Sequence, residues 1–172
     1  SHAKGGNHKK ALKYWRHLAI QRKSPKAMYW YARGLYLAET GHEALRICDR
    51  INDPTYKTKC SKIQNKIQEE FPEQLQLYQS NRLIKKGEYE TAMDTIESLL
   101  EEDDTNPHYR LAMGRIFHGL KKFDYAYDHY IFATSKINSE FANKALKKLK
   151  LVGRKAIKFV KKNKTSIRSY FW

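Results

Sequence analysis

An all-α chain, organised as a solenoid of antiparallel helix pairs with a basic helix at its C-terminal end, is what three features of the sequence predict. The first is self-similarity at a fixed period. Aligning Gln74 to Asp104 with His108 to Asn138 at an offset of 34 superposes Ser80 on Gly114, Leu83 on Phe117 and Tyr89 on Phe123. The same offset places Ala92 on Ala126, Ile96 on Tyr130 and Leu99 on Ala133. Small residues match small ones and large apolar residues match large ones, as two copies of a closely crossing helix pair require. The second feature is apolar spacing of three or four residues, without convincing strand alternation or hairpin turns. The third is punctuation: Pro25, Pro54, Pro72 and Pro107 fall between periodic segments, where a helix can start but not continue.

Taken in order, His8 to Arg22 reads as a helix, related at an offset of 33 to the later segment through Ala11 and Ala44, Trp15 and Cys48, and Leu18 and Ile51. A helix pair turns at Glu39-Thr40-Gly41-His42, and an additional helix-length segment follows over Thr55 to Glu70. The two clear repeats come next, the first turning at Lys85-Lys86-Gly87-Glu88. Beyond them, Phe141, Ala145, Leu149, Val152, Ala156 and Phe159 or Val160 recur at helical spacing among lysines. The organisation is a helical array over 1–138 with its extra helix near 55–70, a basic amphipathic capping helix over 139–163, and a tail over 164–172. Ser1-His2 reads as a cloning remnant, while His8 to Arg22, resembling the second helix of a pair whose first is missing, and the closing Tyr170-Phe171-Trp172 read as signs of a segment cut from a longer protein.

Two sequence patterns resemble tetratricopeptide repeats: Gly87-Glu88-Tyr89-Glu90-Thr91-Ala92, and Met113-Gly114 followed by Phe117, Phe123, Ala126, Tyr130 and Ala133. The resemblance covers Gln74 to Asn138 and extends to Gly6–Asp53 through Ala32-Arg33-Gly34 and Gly41-His42-Glu43-Ala44. Departures are Gln76 and Arg110, where the family often has Trp, a shorter turn around Gly41, and the insertion at 55–70. The resemblance implies a concave groove, lined by the first helix of each pair, that binds extended peptides or partner helices. Carried over, the groove holds Tyr31, Leu35 and Glu39, then Gln74, Leu77, Asn81 and Lys85, then His108, Leu111, Arg115 and His118. Asn81, Lys85 and Arg115 offer donors for a peptide carbonyl or carboxylate; the alternative is that they are solvated helix faces. The family's clamp for a C-terminal carboxylate is not expected, because Leu77 and Ala112 stand at two of its polar positions.

Charge divides the chain into stripes. Residues 1–66 carry 15 Lys/Arg against 4 Asp/Glu, residues 67–140 carry 8 against 14, and residues 141–172 carry 11 and no acid, giving the net +16 of the 172-residue chain. Such asymmetry bears on anionic partners and self-association rather than on fold. The tail lysines Lys144, Lys147, Lys148, Lys155, Lys158, Lys161 and Lys162 form either a solvating cap or a surface for an anionic polymer, nucleic acid or polysaccharide, or a membrane surface. Base stacking would need aromatic residues interleaved with those lysines, and Tyr170 to Trp172 lie past the run. A basic end could also meet the acidic middle of a second copy.

Catalytic patterns are poor. There is no Gly-rich phosphate loop and no H-E-x-x-H, so no enzyme activity, cofactor or metal site is expected. His118, Asp124, Asp128 and His129 read as solvated polar positions rather than ligands. Two cysteines make no disulfide framework, and Cys48, matched to Trp15, reads as a small packing residue. Trp15, Tyr29, Trp30 and Tyr36 are expected to stack between helices as core. The apolar runs are too short for a membrane span and Ser1 to Lys10 lacks a signal-peptide pattern, which predicts a soluble, cytoplasmic protein. The expected function is therefore a protein-interaction or scaffold module that holds a partner segment in its groove; anionic-surface binding is the alternative.

Overall fold

A computed structural model describes residues 3–150, which are helical throughout apart from short connections. Eight helices precede the last described one: α1 (Ala3–Arg22), α2 (Pro25–Leu37), α3 (Gly41–Cys48), α4 (Pro54–Glu70), α5 (Pro72–Lys86), α6 (Tyr89–Glu102), α7 (Pro107–Gly119) and α8 (Phe123–Lys136). A further helix, α9, runs through residues 140–150. Val152, Ala156, Phe159 and Val160, like the tail over 164–172, lie outside the described residues.

Each of the four prolines opens a helix, at α2, α4, α5 and α7. The missing N–H costs nothing there, since the first-turn donors have no intrahelical partner. Side-chain caps satisfy others: Ser24 accepts from the Ala27 amide, Asp53 from Tyr56 and Asn106 from His108.

Three helices end in one and the same way. The Gly87 amide donates to the Ile84 carbonyl and Glu88 to Leu83, Lys121 to His118 and Lys122 to Phe117, Glu39 to Tyr36 and Thr40 to Leu35. This paired closure requires a left-handed residue at its corner. Gly87 takes it at φ 86°, but Lys121, 34 positions later, and Glu39 adopt φ 61° and 57° despite their side chains. Two of the three turns thus occupy a conformation that favours glycine without having one.

The chain divides into two compact units within α5, between Gln79 and Ser80. In the first, α2 packs on α1, α3 and α4, around Ala32, Leu35, Ala44, Leu45, Ile51, Ile63 and Ile67. The first turns of α5 close this core: Gln74 accepts from the Gly41 amide through Oε1 at 2.5 Å and donates through Nε2 to the Glu39 carbonyl at 2.9 Å. Tyr78 donates to the Asp49 carboxylate. A disulfide joins Cys48 at the end of α3 to Cys60 in the middle of α4. The two cysteines are therefore covalent partners, not independent packing residues.

In the second unit, both copies of the 34-residue pattern bury the same positions. Ser80 and Gly114, Ala92 and Ala126, Ile96 and Tyr130, and Leu99 and Ala133 are all buried, while Leu83 and Phe117, and Tyr89 and Phe123, are half-buried. By contrast Ala11 and Leu18 of α1 are more exposed than their offset-33 matches Ala44 and Ile51, while Trp15 and Cys48 are both half-buried. Tight crossings explain the small residues: a Cβ on Gly114 would lie 2.7 Å from two carbons of the Tyr130 ring, and one on Gly119 would run into the Tyr89 ring. The described part of α9 packs Ala142, Ala145, Leu146 and Leu149 against Ala126 and Tyr130, with Ser139 capping its start. Its lysines 144, 147 and 148 stay exposed, so this stretch closes an apolar face with a cationic exterior.

Candidate functional site

In the second unit, a polar group gathers where α7 meets the end of α5 and α9. Arg115 Nη1 donates to Asn81 Oδ1 at 3.2 Å, joining positions 34 residues apart and so equivalent in successive helix pairs. The Arg115 guanidinium also lies over the Phe141 ring, 5.3 Å from its centre. One turn along α7, His118 Nδ1 is 3.1 Å from the Tyr130 hydroxyl. Burial holds the His118 imidazole below its ordinary pKa and nearby Lys148 adds to the effect. Burial pushes the Tyr130 phenol strongly up, with Arg115 opposing. Neutral His118 and neutral Tyr130 therefore lie beside a permanent cation, a setting suited to a carbonyl or carboxylate acceptor.

The other groove residues are distributed differently. Lys85 is exposed on the last turn of α5, and His108 is half-buried at the start of α7. Tyr31, Gln74 and Leu77 belong to the first unit. Leu77 is a core residue at 2% exposure, and Leu35 is buried as well. Gln74 has both amide groups engaged at the α2–α3 turn. Half-buried Tyr31 has a raised pKa, first from burial and then from Glu43, with Arg16 and Arg46 acting oppositely. The structure thus brings together Asn81, Arg115 and His118, and uses Gln74 and Leu77 as structural parts of the first unit.

Of the tail lysines, Lys144 pairs with Glu140 at 2.6 Å on an exposed face, where such a pair is worth little. Lys155, Lys158, Lys161 and Lys162 lie outside the described residues. No group of three or more His, Cys, Asp or Glu able to hold a metal ion occurs among the described residues. His118 and His129 are drawn to aromatic partners: His118 edge-on to Tyr130, and His129 stacked on Phe117 with ring centres 5.5 Å apart. None of the described helices is long and apolar enough to cross a membrane.

His129 is held low too, by burial and then Arg110, against a smaller opposing effect of Asp128. Both imidazoles thus bind protons less readily folded than unfolded. Their contribution to stability is complete above the unfolded value of about 6.5 and is lost as pH falls through the lower folded values. We expect the melting temperature of the second unit to fall between pH 7 and pH 5, and the fall to be shallower in His118→Gln/His129→Gln. An unchanged slope in thermal melts of that variant would assign the loss to carboxylates instead.

Sequence reasoning missed two arrangements. The Cys48–Cys60 bond spans the Asp53-Pro54 break and depends on how α3 lies on α4; its only forward signal was that the chain has two cysteines. The other is the placement of Trp15, Tyr29 and Trp30, expected as core but only half-buried. Comparison of the chain with protein-family models, curated proteins and solved structures finds no match.

Proposed function

We propose that the chain is a protein-recognition module, a tetratricopeptide-like solenoid of antiparallel helix pairs that receives a partner segment along the first helices of its pairs. The observation that carries this reading is the Asn81–Arg115 contact, because it sets equivalent polar positions of consecutive pairs side by side. An amide and a guanidinium with an aromatic neighbour suit a peptide strand, the donors taking main-chain or side-chain oxygens and Phe141 taking an apolar side chain. Lys85, exposed one turn beyond Asn81, extends the donor row.

Panning a peptide-display library against the full chain and remeasuring the selected peptides on Arg115→Met and Asn81→Ala tests this. Loss of a charge-assisted hydrogen bond predicts about tenfold weaker binding to Arg115→Met, with helicity by circular dichroism unchanged. Peptides that bind both variants as tightly as the parent chain would dock elsewhere, and the groove reading would fall.

A further inference from the structure

Five aromatic rings from three helices of the first unit form one connected strip. Tyr14 meets Trp15 at 5.3 Å between ring centres, Trp15 stacks on Trp30 at 6.0 Å, Trp30 meets Tyr29 at 5.5 Å, and Tyr29 meets Tyr56 at 5.7 Å. Helices α1, α2 and α4 contribute, and α2 packs on both of the others. Tyr14 is 58% exposed, and the other four rings are half-buried. Tyr29 and Tyr56 also pack against the buried core of this unit, yet none of the five residues is fully buried.

Cations are threaded through it. The Arg33 guanidinium lies 5.1 Å from the Trp30 ring centre, and Lys59 Nζ lies 4.9 Å from that of Tyr56 and 5.7 Å from that of Tyr29. Both side chains are exposed, and the surrounding residues 1–66 carry a net +11, from 15 cations and 4 acids. This is the interleaving of aromatic and basic side chains that the C-terminal tail lacks.

We infer that the strip running from Tyr14 through Trp15, Trp30 and Tyr29 to Tyr56 is a binding site for single-stranded nucleic acid. Bases stack on the rings, with exposed Tyr14 as the first platform, while Arg33 and Lys59 swing off the rings they cover to reach the phosphates. The match is one of charge and surface together. A duplex would engage the cations and leave the rings idle, because its bases are already stacked. A proline-rich peptide would use the rings without needing the charge, and an acidic peptide the charge without the rings. This site is separate from the groove residues of the second unit and does not rest on the groove reading.

The test uses the full chain carrying Trp172→Phe, so that tryptophan fluorescence reports Trp15 and Trp30 alone. A fluorescein-labelled oligouridylate and a duplex of equal length are titrated in at low and moderate salt. The single strand is expected to bind more tightly than the duplex, to quench the tryptophans, and to weaken as salt rises. Exposed Tyr14→Ala and Lys59→Gln are each expected to reduce affinity about tenfold with unchanged circular dichroism. Equal binding of both nucleic acids without quenching would reduce the effect to general polyanion attraction and overturn the assignment. It is equally overturned if the two variants bind as the parent does while K144Q/K147Q/K148Q does not, or if only phosphatidylserine vesicles or a proline-rich peptide bind.

Discussion

Tyr130→Ala is expected to lower the stability of the second unit by about 3–5 kcal/mol, the range for truncating a fully buried aromatic side chain. Tyr130 has no exposed surface and lies among Ala126, Ala142, Ala145, Leu146 and Leu149, with the edge of Phe141 against it. On its other side, Gly114 brings the α7 backbone down onto the ring. One side chain therefore fills the space between α7, α8 and α9, and the surrounding alanines have no bulk with which to close the cavity. Two companions separate the contributions. Tyr130→Phe keeps the ring and loses the His118 contact, at about 1 kcal/mol. Gly114→Ala keeps every atom of Tyr130 but adds a methyl group at 2.7 Å from the ring, at about 1–3 kcal/mol. Urea melts rank the three; if Tyr130→Ala proved no worse than Tyr130→Phe, the ring would not be the keystone of this packing.

That ranking also shows why some of the structure was legible in the sequence. Gly114, Ala126, Tyr130 and Ala133 stood out because a close helix crossing restricts size at fixed positions, and size survives in sequence when chemistry varies. The prolines were legible for the same reason, since a missing N–H is tolerated in the first turn and hardly elsewhere. The turn at Lys121 was not, because the backbone adopts a left-handed conformation there with no glycine to announce it. Gln74 misled in another way. Its side chain spans from α5 to the α2–α3 turn, a long-range contact that no local spacing encodes. Leu77 belongs to the core because α5 contributes its first turns to one unit and its last to the next. The aromatic strip was hidden because ring content is visible in a sequence, whereas half-burial depends on how far one helix overhangs another.

Removing the Cys48–Cys60 bond is expected to cost the first unit about 3 kcal/mol, the unfolded-state entropy of closing a loop between cysteines 12 positions apart. The double variant Cys48→Ala/Cys60→Ala isolates that term, while Cys60→Ser adds a hydroxyl at a site only 5% exposed and should be worse. The parent chain, denatured without reductant, should show no free thiol by titration and two after reduction. Urea midpoints with and without reductant should then differ for the parent and coincide for the double variant. Identical parent midpoints would mean that packing of α3 on α4 holds without the bond. The consequence reaches the surface, because Cys60 adjoins Lys59 and lies one turn from Tyr56 on the same helix. Where thiol-reducing systems keep cysteines open, the staple between α3 and α4 is absent; where they do not, it persists. Reduction should therefore loosen the α4 end of the aromatic strip before it touches the second unit. Hydrogen exchange should show this directly, with amides of α4 losing protection on reduction while those of α7 and α8 keep theirs.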